Sequence, residues 1–368
     1  MVRFVMVRCL LLALCMVVSG FAGDEQFNGT WVIDAEPPHA RALWLRITGA
    51  GTDQLAGRLV GGVAGRAQAL IDAKIVDGEL SFRSERYLED SKRWLRATTS
   101  VRVVEDDPHG KDHLHGKDDP HGKHKLPGGD RPPSGDKVGR DKVDKDTARG
   151  GYRLHGTTRR DGDEIKDEIK WVGRPSEAVA DRDDGSWREG EPVVLFDGKD
   201  LSAWHGQSAG GEKTWRVDTK ILRNSDHGDM LVSNERFWNF KLHVEFNVAP
   251  HSNSGIGLRS RYEVQILDDH GQPASIHGNG AVYSTIKPSL NASLPADSWQ
   301  TFDITLIGRD VTVVLNGKTT IDKQVIEALT AIATDSNERE PGAITLQGDH
   351  GPIAFRSIVV TPLVKPER

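Results

Sequence analysis

Lys241-Leu242-His243-Val244-Glu245-Phe246-Asn247-Val248 alternates apolar and polar residues without a break. Successive side chains of a strand point to opposite faces, so Leu242, Val244, Phe246 and Val248 share one face. His243, Glu245 and Asn247 share the other, and the stretch reads as a half-buried β-strand. Gly255 to Leu267 has the same period and is predicted to form a single strand. Leu258, Ser260, Tyr262, Val264 and Ile266 would then line its apolar face, with Arg259, Arg261, Glu263 and Gln265 opposite. Solvated outer faces explain such alternation as well. Here, however, the polar set is Arg, Glu, Gln, His and Asn, whose forked donors and paired acceptors suit sugar hydroxyls, and a concave groove is the expectation.

Outward from these two stretches the same pattern repeats. Strands are predicted at Val193 to Phe196, Trp215 to Val217, Met230 to Val232, Trp299 to Ile307, Val311 to Leu315, Ala343 to Gln347 and Ile353 to Val360. Asn316-Gly317 marks a type I′ hairpin turn. So many short strands in one region imply two packed sheets, a jelly-roll-like sandwich spanning 192–363. Upstream, 27–173 carries shorter alternating runs around Trp31, Trp44, Leu55 and Phe82, with Asp77-Gly78 as a hairpin turn. These predict a small antiparallel β-barrel or curved sheet with Trp31 and Trp44 in its core. The fold class is therefore all-β, and a charged linker, 174–191, joins the two parts.

Composition agrees. The 368 residues are 37% apolar and 6% aromatic, which excludes a multi-span membrane protein. Residues 1–22 combine Arg3 and Arg8, a short apolar run and a small-x-small site at Gly20-Phe21-Ala22, the form of a cleaved signal peptide. The run spans only about half a bilayer core, so no stable membrane span is expected and the mature chain would be secreted or periplasmic. Both cysteines, Cys9 and Cys15, lie in that segment, leaving the exported protein no thiol chemistry. The net charge is −6, and −8 without Arg3 and Arg8, which makes nucleic acid an unsuitable partner. Residues 105–150 consist largely of Asp, His, Lys, Gly, Arg and Pro, with Asp106-Asp107-Pro108-His109-Gly110-Lys111 repeated at 118–123. Too polar to bury a core, this insertion is expected to be disordered.

Across 192–363 the sequence resembles the 3-keto-disaccharide hydrolase family, also described as 3-keto-glycoside 1,2-lyases and hydratases. The resemblance is carried by Leu195-Phe196-Asp197-Gly198-Lys199-Asp200-Leu201 with Trp204, by Asn253-Ser254-Gly255-Ile256 with Leu258-Arg259, and by Tyr262-Glu263-Val264-Gln265-Ile266-Leu267-Asp268. It continues through Gly280-Ala281-Val282-Tyr283, Trp299, Asn316-Gly317 and Leu346-Gln347-Gly348-Asp349-His350-Gly351, leading into Phe355-Arg356. Arg356-Ser357-Ile358 departs from the family's usual Arg-Asn-Ile, and a Gly-Gly turn is missing near Ala331-Ile332-Ala333.

The resemblance implies a concanavalin-like sandwich acting on an oligosaccharide or glycoside oxidised to a ketone at carbon 3. Glu263 is the preferred base or acid, Asp268 the competing carboxylate, and His350, which titrates in the right range, the acid for the leaving group. Arg259 would bind the enolate, while Gln265, Gln347, Asn253, Glu245 and Tyr283 would bind hydroxyls. Glu245 with Glu263 would form a conventional glycosidase pair only if their strands were neighbours. No cofactor is required. Asp268, Asp269, Asp349 and Asp335-Ser336-Asn337-Glu338 offer hard oxygen ligands of the kind calcium takes, without the spacing of a known cage. The alternative is a non-catalytic carbohydrate-binding module or cell-surface scaffold on the same fold.

Overall fold

A computed structural model describes residues 23–35, 42–61, 67–88, 92–105, 152–161, 166–176, 178–224 and 227–366. The predicted signal peptide and the body of the polar insertion lie outside the described residues. Apart from two 3-10 turns, every regular element described is a strand, as the alternation requires.

The first sheet contains β1 (Gly29–Ala35), β2 (Leu43–Thr48), β3 (Ala56–Val60), β4 (Gln68–Ala69), β5 (Ile71–Val76), β6 (Glu79–Leu88), β7 (Arg93–Glu105), β8 (Tyr152–Asp161) and β9 (Lys166–Pro175). Its order is β4-β3-β2-β1-β9-β8-β7-β6-β5, antiparallel throughout. The edge strands β4 and β5 are consecutive, separated by Leu70 alone, and Gln68 Nε2 donates to the Glu85 carbonyl on β6 at 3.0 Å. The sheet thus curls into a nearly closed barrel, which leaves little open edge. Trp31, Ile33, Leu45, Ile47, Leu80, Phe82, Val101, Leu154 and Trp171 fill its interior. Asp77 and Gly78 both have positive φ, 51° and 71°, as a type I′ turn demands.

The second half contains β10 (Arg188–Glu189), β11 (Val193–Phe196), β12 (Trp204–Gly206), β13 (Trp215–Asp218), β14 (Ile221–Asn224), β15 (Leu231–Phe237), β16 (Phe240–Val248), β17 (Asn253–Leu258), β18 (Tyr262–Leu267), β19 (Gln300–Ile307), β20 (Asp310–Leu315), β21 (Lys318–Val325), β22 (Gly342–Leu346) and β23 (Ile353–Val364). The larger sheet runs β13-β14-β23-β16-β19-β20-β21, with β10 and β11 also paired to β23; the smaller runs β12-β15-β22-β17-β18. Leu242, Val244, Phe246, Phe302, Ile304 and Leu306 from the first pack against Ile256, Leu258, Val264, Ile266, Ile344 and Leu346 from the second. Phe246 and Phe302 stack at 4.8 Å between centroids. This is the predicted jelly-roll-like sandwich.

The predicted continuous strand from Gly255 to Leu267 is instead a hairpin. Leu258 pairs with Tyr262, and Arg259 and Ser260 turn the chain with φ of 55° and 57°. Left-handed residues cannot continue a pleat, so the alternation expected for 258–261 is lost. Ser260 donates to the Ala343 carbonyl, and Arg259 and Arg261 leave the Glu263 face. The alternation survives on each arm.

In the barrel, Gly156 on β8 lies opposite Trp171 on β9, and a Cβ at 156 would fall 2.1 Å from the indole ring. Trp171 Nε1 donates to Thr158 Oγ1 at 3.0 Å, which fixes the ring over the glycine. Gly156→Val should therefore displace the ring and cost about 1–3 kcal/mol of stability. A lower urea midpoint at unchanged slope is the expected result; an unaltered midpoint would mean that the ring is not confined there.

Candidate functional site

The smaller sheet has two faces. Register places Asn253 opposite Leu267, Gly255 opposite Gln265 and Gly257 opposite Glu263, all directed away from the sandwich core. Thr345 lies beside Gly257, and Gln347 follows two residues later on the same side. Glu263 retains 4%, Gln265 5%, Gln347 8% and Thr345 0% of their exposure, so this polar face is covered rather than solvated.

Two glycines make room for it. A Cβ on Gly255 would meet the Glu263 carboxylate at 2.5 Å, and one on Gly257 would meet Thr345 Oγ1 at 2.0 Å. The Glu263 side chain thus lies across Gly255. With its amide nitrogen turned toward these acceptors, Gln265 donates to Glu263 Oε1 at 3.2 Å and to the Ser254 carbonyl at 3.3 Å.

Residues 280–283 run along the outer edge of β18. Val264 bridges Val282, and Tyr283 donates its N–H to the Glu263 carbonyl at 3.0 Å, which sets Tyr283 opposite Glu263. The Tyr283 ring packs against His277 at 5.0 Å, and His277 Nε2 pairs with Ser284 Oγ at 2.9 Å. On another side, Glu263 N–H donates to Thr330 Oγ1 at 2.8 Å, and Ile332 Cδ1 comes within 3.7 Å of where a Gly257 side chain would begin.

His350 and Asp268 stand at the other end of the hairpin. The His350 carbonyl accepts from Asn253 N–H at 3.3 Å, and the His350 ring pairs with Asp349 Oδ1 at 2.5 Å. The His350 side chain is 48% exposed. Asp268 Oδ2 accepts from His251 N–H at 2.9 Å. Glu263, Gln265, Gln347, Asn253, Tyr283, Asp268 and His350 therefore belong to one sheet face and its rim.

Two predicted residues do not join them. Arg259 is buried in the hairpin turn, where Nε donates to the Trp238 carbonyl at 2.6 Å, Nη2 donates to Asn239 Oδ1 at 3.0 Å, and the guanidinium stacks on Trp238. Burial lowers its pKa to about 10, which leaves it charged at neutral pH but tied to structure. Glu245 belongs to β16 in the larger sheet, where it pairs with Arg356. The sandwich core separates it from Glu263, so these two carboxylates are not a glycosidase pair.

Nor do the proposed calcium ligands assemble. Asp335 is held by Arg236 and Arg261 at 2.8 and 2.7 Å, and Asp269 accepts from Asn279 N–H and Ser293 Oγ. Glu338 accepts from Tyr262 and Arg309 at 2.6 and 2.7 Å. Burial raises the Tyr262 pKa, keeping the phenol protonated as the donor. Among the described residues no group of three or more His, Cys, Asp or Glu side chains could hold a metal ion.

Thr345, Thr330 and His277 were absent from the sequence expectation. Alternation through Ala343 to Gln347 does put Thr345 on the Gln347 face, and that signal was available. The other two lie on irregular segments where no period operates. Neither Thr345 Oγ1 nor Gln347 Oε1 has a hydrogen-bond partner among the described residues. Buried polar atoms are normally partnered, so these two are the groups of the face left to be satisfied by something other than the described residues.

Residues 191–361 match the family model of the 3-keto-alpha-glucoside-1,2-lyase-like domain. That part of the chain is similar to a domain of this kind, which supports a carbohydrate-active protein. Two candidate glycosyl hydrolases of known structure from Parabacteroides distasonis ATCC 8503 resemble it. One is 27% identical with a TM-score of 0.42, covering 48% of this chain and 90% of the other. The second is 17% identical with a TM-score of 0.41, covering 47% and 94%. No curated protein matches the chain.

Thr345→Val keeps shape and removes an unpartnered hydroxyl. It should leave thermal stability unchanged or raise it by up to about 1 kcal/mol, while weakening binding of any sugar that this face takes by the worth of one hydrogen bond, roughly tenfold. Calorimetric unfolding and titration would measure the two. A loss of stability with unchanged binding would assign Thr345 to the fold alone.

Proposed function

We propose that the chain is an exported enzyme cleaving 3-keto-glycosides by proton abstraction at C2, β-elimination of the anomeric substituent and hydration. The carrying observation is the buried Glu263 carboxylate lying over a glycine gap, beside two buried polar atoms without partners.

A ketone at carbon 3 acidifies the C2 proton. A base at C2 takes that proton, the electron pair forms the enolate, and collapse of the enolate expels the substituent from carbon 1, which leaves with a proton from an acid. Water then adds across the resulting double bond. Each stage is neutral in electron count and needs no external oxidant. The base role is assigned to Glu263 on the ground that its carboxylate lies inside the covered face, whereas Asp268 and His350 stand at the rim. His350, half exposed beside Asp349, is suited to protonating a leaving group that departs toward solvent. Gln265, Gln347, Asn253, Thr345 and Tyr283 supply amide and hydroxyl groups for the sugar. Arg259 has no part in enolate binding, so that donor must come from this neutral set. The leader-like residues 1–22 support export, and the acidic charge balance offers nothing to a polyanion.

Glu263→Gln should lower turnover of a 3-keto disaccharide by roughly 10² to 10⁴ with folding intact. Wild-type protein should also exchange the C2 hydrogen with solvent deuterium. Cleavage of the unoxidised disaccharide without exchange would replace elimination by conventional hydrolysis. Binding of sugars with no turnover of either would identify a carbohydrate-binding module.

A further inference from the structure

We infer that the N-terminal barrel is a positioning element of the candidate site. It clamps the irregular segment 326–338 against the Glu263 face, with Trp44 as the central contact. This step rests on the Glu263 face being the functional site, but it assigns the barrel a part that the proposed chemistry does not.

The first observation is an apolar row on the wrong side of a barrel. Val32, Trp44 and Val60 are direct cross-strand partners on β1, β2 and β3. Their neighbours Trp31, Ile33, Leu45 and Ile47 fill the interior, so by alternation this row points outward. A free-standing barrel would expose it to water. Instead Val32, Trp44 and Val60 are 1%, 3% and 2% exposed, and they form one apolar cluster with Ile326, Ala328, Leu329 and Ala333. Trp44 Nε1 has no hydrogen-bond partner among the described residues, so the ring acts through its volume.

The second observation is the covered segment itself. Residues 326–338 contain no helix or strand, so their shape depends on what grips them from both sides. Outside, Ala42 N–H donates to the Ala333 carbonyl at 2.9 Å, Arg174 donates to Ser336 Oγ at 2.8 Å, and Ser176 Oγ donates to Glu338 at 2.9 Å. Inside, Thr330 N–H donates to the Arg261 carbonyl and Thr334 N–H to the Ser260 carbonyl, both at 3.0 Å. Thr330 Oγ1 receives the Glu263 N–H, and Ile332 lies over Gly257. The barrel thus reaches the backbone of the proposed base through one intervening layer. Displacement of that layer would shift Glu263 relative to a bound sugar, and shifts of about 1 Å can cost a hundredfold in rate.

Trp44→Ala and Trp44→Phe in the full chain test this. Hydrogen exchange would be followed in peptides covering 326–338 and Glu263, with 93–105 reporting the barrel and 300–307 the larger sheet. Trp44→Ala should speed exchange in 326–338 and at Glu263 while 300–307 stays protected; Trp44→Phe should restore protection. Turnover of a 3-keto disaccharide should fall 10- to 100-fold in the alanine variant and recover in the phenylalanine variant. Unchanged protection of 326–338 in Trp44→Ala, whether the barrel peptide stays protected or opens, would overturn the inference. Should the wild type turn over no 3-keto sugar, the chemistry fails and the exchange result still decides the positioning.

Discussion

Both faces of the smaller sheet are covered, and only one of them can be apolar. The inner face satisfies the hydrophobic requirement of the sandwich through Ile256, Leu258, Val264, Ile266, Ile344 and Leu346. The outer face buries Glu263, Gln265, Thr345 and Gln347 instead. Removing such groups from water is unfavourable unless partners replace the lost hydration. Backbone donors and the Gln265 amide supply some of them. Thr345 Oγ1 and Gln347 Oε1 are left over, and Gly255 and Gly257 admit the Glu263 and Thr345 side chains that lie across them. A fold optimised only for stability would place a methyl group or an isoleucine at these positions, so the arrangement is one that stability alone does not favour.

This constraint also explains why the covering segments are irregular. A further strand or helix laid on the outer face would bring its own apolar stripe against the buried polar groups there. Segments 268–299 and 326–341 instead arrive with little regular structure and are pinned by individual hydrogen bonds from Arg236, Arg261, Tyr262, Arg309 and Asn316. Arg259, which begins as a candidate for enolate binding in a reading of the sequence, belongs to this scaffold together with Arg261 and Tyr262. Their burial is offset by acceptors at 3.0 Å or less: the Trp238 carbonyl and Asn239 Oδ1 for Arg259, the Glu340 carbonyl and Asp335 carboxylate for Arg261, and Glu338 for the Tyr262 hydroxyl.

Legibility of the fold followed from local physics and stopped where long-range geometry took over. The period-2 pattern correctly sorted Leu242, Val244 and Phe246 from His243 and Glu245, and Asp77-Gly78 and Asn316-Gly317 turned where positive φ is cheap. Arg259 and Ser260 defeated the pattern because nothing in their chemistry favours a left-handed turn; the turn is imposed by the pairing of Leu258 with Tyr262 and by the carbonyls that await Arg259. Glu245 was misplaced for a different reason. Alternation tells which face of a strand a residue takes, not which sheet the strand joins, and the larger sheet claimed β16. Trp44 lies between these cases: its burial was legible, but its packing against the second half of the chain was not.

The Val32, Trp44 and Val60 row gives the two halves a physical dependence on each other. An apolar ladder outside a barrel is a liability unless it is covered, and a loop without regular structure is mobile unless it is gripped. Each half cancels the other's defect. The barrel gains burial of its outer row, and the 326–338 segment gains a rigid backing at the Ala333 carbonyl and across the apolar residues beside it. Arg46 and Glu327, 3.6 Å apart with both side chains substantially exposed, contribute little to this union, because exposed pairs are screened and entropically costly. The apolar contact carries it. A wall held by volume rather than by directional bonds tolerates exchange of one aromatic for another but not loss of the ring. Sequence change in the barrel would therefore reach the Glu263 face through shape, without altering a single group on that face.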